Sequence, residues 1–342
     1  MNPRRDRRRR IFRGVALGCG AITGLSLAIV AAVLVAASSA PDTIDLSPHH
    51  PFRSPQAKER YLSLYDRRAE DWPVPSQTRL VSTRYGDTFV RISGPQDAPP
   101  LVLLHGVGGN SLQWQPNVEA LSAHFRVFAL DDIKGYGRST HTRPVDDADD
   151  YVVWLDEVFD ALELGNDVNL MGLSFGGWQA AQYTLHFPDR LDGVVLLAPA
   201  GTVLPLRPEW MARAALTALP HRVFARSFLV WLLEDLAHGD DTGREQLDRW
   251  VDDVYVASRS FKPLRQANPT VLTDDEWRRI RVPVLYLVGE NEKIYDAREA
   301  LARLSDVAPR VEADVIPDAG HDLTIVQADL VNQKALDFLC ER

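Results

Sequence analysis

Cysteine is nearly absent from this 342-residue chain, which holds two, Cys19 and Cys340. Cys19 lies in an apolar stretch, so no internal disulfide is expected in the folded part and a disulfide-stapled scaffold is excluded. Glycine and proline, at 21 and 22 residues, show no excess, and no internal repeat or low-complexity tract is present, which excludes collagen-like and disordered classes. Positive charge is scarce outside the first residues. Arginines 4, 5, 7, 8, 9, 10 and 13 against Asp6 give residues 1–13 a charge of +6, residues 14–40 carry none, and residues 41–342 carry −15. So acidic a body repels phosphate backbones, and nucleic-acid binding is not expected. What remains is a chain with 45% apolar residues, enough for a sizeable core.

Residues 15–37 form an uncharged, mostly apolar run of 23 residues, long enough to cross a hydrocarbon layer of roughly 30 Å as a helix. The arginine flank should stay cytoplasmic, placing the rest of the chain outside. Small residues at Ala37 and Ser39 suit signal cleavage, but a cut after Ala40 would put Pro41 next in line. The run is also longer than a usual signal core, so an uncleaved anchor over residues 14–37 is expected, with cleavage and export as the alternative. Arg9-Arg10-Ile11-Phe12 partly matches a twin-arginine export signal.

Residues 41–53 are polar and proline-rich, as a spacer requires. His49 and His50 have no second ligand pair at metal-binding spacing and are assigned to an exposed linker, so no metal is expected. Ser54-Pro55 predicts the cap and first turn of a helix running to about residue 71, ended by Pro73 and Pro75. From there short apolar runs alternate with helical patterns, the signature of a parallel sheet covered by helices. Strands are expected at 79–84 and 88–93, a hairpin turning at Gly86-Asp87, then at 101–105, 127–131, 168–173, 194–198, 284–288 and 311–316. The division is an N-terminal segment 1–40, a linker and leading helix 41–75, and an α/β domain 76–342 with a mostly parallel eight-stranded sheet. Between residues 201 and 281 the rhythm breaks into helical patterns at 209–218, 221–237, 243–258 and 274–280, read as an inserted cap.

The strongest chemical signal is Gly172-Leu173-Ser174-Phe175-Gly176-Gly177, between an apolar run and a helical segment. That is the strand, tight turn and helix of a nucleophile elbow, with small residues flanking a strained serine. A serine hydroxyl is a weak nucleophile near neutral pH and needs a base, which itself needs an orienting acid. His321, in Ala319-Gly320-His321 after the last strand, is the candidate base. The acid is sought after strand 284–288, where Gly289 to Asp296 reads GENEKIYD. Glu292 is preferred; Asp296 and an acid from the loop after Ala198 are the alternatives. Acyl transfer also needs donors for an oxyanion. Phe175 N–H follows the nucleophile, and Val107 N–H lies in His105-Gly106-Val107-Gly108-Gly109, where His105 is read as stabilising its loop. Large apolar residues of the cap, among them Trp210, Phe224, Phe228 and Trp231, either line an apolar pocket or dock the insertion on the core.

Together, His105-Gly106 with its trailing glycines, Asp131-x-x-Gly135-x-Gly137-x-Ser139, the elbow at Ser174 and Gly320-His321 resemble the α/β-hydrolase superfamily. The run Gly289-Glu-x-Glu-x-Ile-Tyr295 and Trp72-Pro-Val-Pro75 are similar to bacterial carboxylesterase-type members, and the resemblance spans roughly residues 56–340. It implies hydrolysis of a carboxylic ester with an apolar part through a Ser-His-Glu triad, without any cofactor. Glu292 stands where the family usually has aspartate. The serine at 174 disfavours haloalkane dehalogenase and epoxide hydrolase activities, which need aspartate there. Peptidase, thioesterase or carbon–carbon hydrolase chemistry on the same triad, and a non-catalytic binding protein, are the competing readings.

Overall fold

The computed structural model describes residues 47–341 apart from positions 220 and 264. The apolar segment 14–37 and its arginine flank therefore lie outside the described residues. Among the described residues no helix is long and apolar enough to cross a membrane.

The chain runs α1 (Pro55–Ala69), β1 (Ser76–Thr83), β2 (Gly86–Ser93), β3 (Pro100–Leu104), α2 (Gln115–Ser122), β4 (Arg126–Leu130), β5 (Thr140–His141), α3 (Ala148–Ala161), β6 (Val168–Leu173), α4 (Phe175–His186) and β7 (Leu191–Leu197). Helices α5 (Pro208–Leu216), α6 (Arg222–Leu232), α7 (Glu234–His238), α8 (Asp241–Ser260) and α9 (Asp274–Arg279) precede β8 (Val284–Gly289). Then come α10 (Ala297–Val307), β9 (Glu312–Ile316), α11 (Leu323–Val326) and α12 (Ala328–Cys340). The sheet order is β1-β2-β4-β3-β6-β7-β8-β9, with β5 beside β2. From β4 onward the neighbours are parallel, while β1, β2 and β5 pair antiparallel. Every residue of β6 and β8 is buried, as expected of strands covered by helices on both faces.

The eight expected strands are all present, and β5 makes a ninth. Two residues carry no periodic pattern; they pair because Thr140 and His141 lie against Asp87 and Gly86. The hairpin turns two residues early, at Arg84-Tyr85, and Gly86 already belongs to β2. Its φ of +133° and a would-be Cβ only 2.0 Å from Thr140 O make glycine necessary there. Helix α1 starts as read from the sequence, with Ser54 Oγ accepting from Ala57 N–H at its N-terminus. The expected helix 221–237 is instead two, broken at Leu233 (φ −112°, ψ 54°).

The linker is corrected as well. His50, Pro51 and Phe52 are buried rather than exposed. Phe52 packs its ring 4.3 Å from Phe261, Arg53 N–H donates to Ser260 O at 2.8 Å, and Lys262 N–H donates to Pro51 O at 3.0 Å. His50 meets the ring of His141 edge-on at 4.6 Å. Helix α1 is in turn paired to α8 through Arg68 and Asp253 at 3.0 Å and through Asp71 and Arg249.

Candidate active site

The elbow is fixed by backbone before any side chain acts. Ser174 has φ 55° and ψ −114°, a conformation that costs a non-glycine residue on the order of 1–3 kcal/mol. Its N–H donates to Leu197 O at 2.9 Å, and its carbonyl accepts from Ala200 N–H at 2.9 Å and Trp178 N–H at 3.1 Å. Chain segments close in on both sides: a Cβ on Gly172 would fall 2.2 Å from Gly176 O, and one on Gly176 would fall 2.2 Å from Leu104 O. Beneath, Phe175, Trp178 and Tyr151 pack with centroids 5.1 to 5.9 Å apart, giving the start of α4 a rigid seat.

Glu292 and His321 come from the loops that follow β8 and β9, at the same C-terminal sheet edge as Ser174. His321 Nδ1 lies 2.9 Å from Glu292 Oε2. The other oxygen, Oε1, accepts from Lys293 N–H at 2.7 Å and Ile294 N–H at 3.0 Å, so the carboxylate is held from both ends. All three side chains are buried. Burial alone would push the imidazole pKa down; the adjacent Glu292 carboxylate, with help from Asp322, outweighs it and raises the value above the ordinary one.

Asp296 is placed elsewhere. It caps α10, accepting from Arg298 and Glu299 N–H at 3.0 Å, and sits 3.5 Å from Arg207. The loop after Ala198 contains no acid; the first carboxylate beyond it, Glu209, pairs with Arg213.

The loop bearing Val107 passes directly beside Ser174, since a Cβ on Gly106 would lie 3.4 Å from Ser174 Cβ. Gln113 Oε1 accepts from Gly106 N–H at 2.9 Å, and Gly109 N–H closes the turn onto Gly106 O at 3.1 Å. Phe175 N–H belongs to the first turn of α4, where backbone donors have no partner within the helix. His105 holds the loop rather than acting as a base: Nε2 accepts from Asp132 N–H at 2.9 Å and Nδ1 donates to Gly106 O at 2.7 Å. The Asp131 pattern is structural too. Its buried carboxylate accepts from Ser111 N–H, Arg138 N–H and Tyr65 OH, while Ser139 Oγ donates to its carbonyl at 2.6 Å. Among the described residues no group of histidine, cysteine, aspartate or glutamate is arranged to hold a metal ion.

Sequence reasoning passed over the contacts behind the two loops. Asp322 is fully buried and accepts from both Gly320 and Leu236, and Asn291 reaches Asp235. Only the burial of an acid next to His321 would have flagged them, and burial is not visible in a single sequence.

Residues 99–328 match the alpha/beta hydrolase fold family. The carboxylesterase YbfK of Bacillus subtilis is 35% identical, over 84% of this chain and 96% of its own length. Its crystal structure, as CesB, superposes with a TM-score of 0.75, covering 84% of this chain and 99% of that one. The naproxen esterase (carboxylesterase NP) of the same organism gives a TM-score of 0.75 at 33% identity, covering 86% of this chain and 99% of that one. With a family match over most of the fold and relatives of this identity spanning nearly their full length, the chain belongs to the α/β-hydrolase family and is of its carboxylesterase type.

Proposed function

We propose that this protein hydrolyses carboxylic esters with Ser174 as nucleophile, His321 as general base and acid, and Glu292 as the orienting acid. The observation that carries the reading is the 2.9 Å contact from Glu292 to His321 Nδ1, on loops that share the sheet edge of the strained elbow at Ser174. Donation from Nδ1 leaves Nε2 free to accept a proton. Ser174 Oγ attacks the ester carbonyl carbon as its proton passes to His321 Nε2. The carbonyl π electrons move to oxygen, where Val107 and Phe175 N–H groups stabilise the charge. When the tetrahedral intermediate collapses, the alcohol leaves with the proton from His321, now paired with Glu292. Water, deprotonated by the same imidazole, then cleaves the acyl-enzyme and releases the carboxylic acid. No cofactor enters. The helices between β7 and β8 serve as a cap whose apolar residues favour an ester with an apolar part, and the remainder of 76–342 is the catalytic domain.

The test is labelling of the full chain by a fluorophosphonate probe alongside p-nitrophenyl ester turnover. Both should disappear in Ser174→Ala. Failure of the folded wild type to label would move the assignment to a binding protein on the same fold.

Residues 14–37 are proposed to anchor the protein, with the catalytic domain outside the cytoplasm. The support is their uncharged length and the arginine flank. Membrane fractionation tests this: full-length protein with an intact N-terminus that remains in the high-speed supernatant contradicts it.

A further inference from the structure

The geometry points to α7 as a bracket that holds the two catalytic loops in register, with Asp322 as the positioning residue through which it acts on His321. This inference rests on the triad reading above and adds to it residues that touch no substrate.

Three contacts leave this five-residue helix for the two loops. Leu236 N–H donates to Asp322 Oδ2 at 2.8 Å, immediately beyond His321. Asp235 Oδ1 accepts from Asn291 Nδ2 at 2.9 Å, immediately before Glu292. Glu234 forms an ion pair with Lys293, immediately after it. The loops are also tied to each other, because Asn291 N–H donates to Ala319 O at 2.8 Å. Both flanks of the acid and one flank of the histidine are thus held from a single element.

Asp322 makes the bracket two-sided. Its other oxygen, Oδ1, accepts from Gly320 N–H at 3.0 Å, so one carboxylate spans His321 on its own loop and reaches across to α7. A carboxylate with no solvent exposure is expensive to bury and persists where donors satisfy it. Here the two donors are backbone groups from segments 84 or more residues apart in sequence, Leu236 and Gly320. The break at Leu233 matters for this. Had α6 continued, the N–H of Leu236 would be held inside the helix; restarting at Glu234 leaves it among the first-turn donors without an internal partner. Slack is small, since a Cβ on Gly320 would lie 3.1 Å from Asn291 O and 3.2 Å from Asp235 Oδ2.

The arrangement is electrostatic as well as steric. The charged groups facing His321 are Glu292 from the acid loop and Asp322 from its own. Behind them on α7 stand Asp235 and Glu234, the latter neutralised by Lys293. Asp322 adds to the negative charge that favours the imidazolium, and Asp235 in turn adds to the charge felt by Asp322.

The experiment uses the full chain and reads fluorophosphonate labelling rate, kcat and KM for p-nitrophenyl acetate from pH 5 to 9, in wild type and Asp322→Asn. The amide keeps one acceptor oxygen but turns an NH2 toward the second N–H donor. Misplacing the base should lower kcat and labelling on the order of tenfold to a hundredfold, with KM little changed. The acid limb of the labelling profile should move to lower pH, because one negative charge near His321 is gone; a purely structural role would not move it. Asp235→Ala, on the half-buried insertion side, should lower kcat several-fold and be rescued by Asp235→Asn, which keeps an acceptor for Asn291; it carries the test if Asp322→Asn does not fold. Folded Asp322→Asn with unchanged rate and limb, or Asp235→Ala with unchanged kcat, overturns the bracket and leaves the triad reading standing. Wild type that does not label removes both.

Discussion

Exchanging Glu292 for glutamine alters one atom of the proposed relay, and the outcome follows from its hydrogen bonds. Oε1 accepts from two backbone N–H groups, at 2.7 and 3.0 Å, and Oε2 faces His321 Nδ1 at 2.9 Å. In Glu292→Gln the amide oxygen must stay at the Oε1 position, since an NH2 there would confront two donors. The NH2 then faces Nδ1, which has to become an acceptor, and the ring proton moves to Nε2. That is the nitrogen that must be free to take the Ser174 proton. A tautomer reversal of this kind in a serine protease triad lowers kcat by about 10⁴, equivalent to about 5.5 kcal/mol at 1.36 kcal/mol per tenfold. The assay is p-nitrophenyl butyrate turnover with fluorophosphonate labelling, on protein whose melting temperature has been checked. Asp296→Asn is the control and should keep its turnover, because asparagine also caps a helix. A folded Glu292→Gln retaining more than about a tenth of wild-type kcat, or a loss confined to Asp296→Asn, refutes the reasoning.

Further outcomes are open to measurement. Because the base acts unprotonated and its pKa is raised, kcat/KM should fall as pH drops through a midpoint above the ordinary histidine value of 6.5; a midpoint at or below that value contradicts the Glu292 pairing. Asp131→Ala leaves the backbone N–H groups of Ser111 and Arg138 without their acceptor, while Tyr65 OH still has Ser111 Oγ at 3.0 Å. At about 1–3 kcal/mol per buried unsatisfied group, the loss should be on the order of 2 kcal/mol or more in denaturant titration, and a loss under about 1 kcal/mol speaks against it. Gly176→Ala drives a methyl into Leu104 O and should abolish turnover, whereas Gly165→Ala, which meets no atom within 4 Å, should cost only the positive-φ strain of about 1 kcal/mol; similar melting curves for the two would contradict the steric account.

The legible parts of this molecule were those with a local signature. Apolar runs placed eight strands within a few residues, and the glycines around Ser174 located the elbow because close backbone approach dictates residue type there. Glu292 is separable from Asp296 only in part, since a helix cap and an acid facing a histidine are both carboxylates in a loop and differ only in their partners. What stayed hidden depends on distant chain. Thr140 and His141 are a strand only because β2 is beside them, Phe52 is buried because Phe261 and Tyr61 pack on it, and α6 ends at Leu233 without any proline or glycine to announce it. Asp322 gave no sign for the same reason, as its two donors are Gly320 and the remote Leu236.

The seam between the linker and α8 has a mechanical consequence. Phe52 on Phe261, with Arg68–Asp253 and Arg249–Asp71 farther along, clamps one flank of α8, while α7 is tied to the loops that bear Glu292 and His321. Helix α5, by contrast, buries none of its residues. Opening motions of the insertion should therefore be borne by α5, whose amides exchange with solvent well before those of α8.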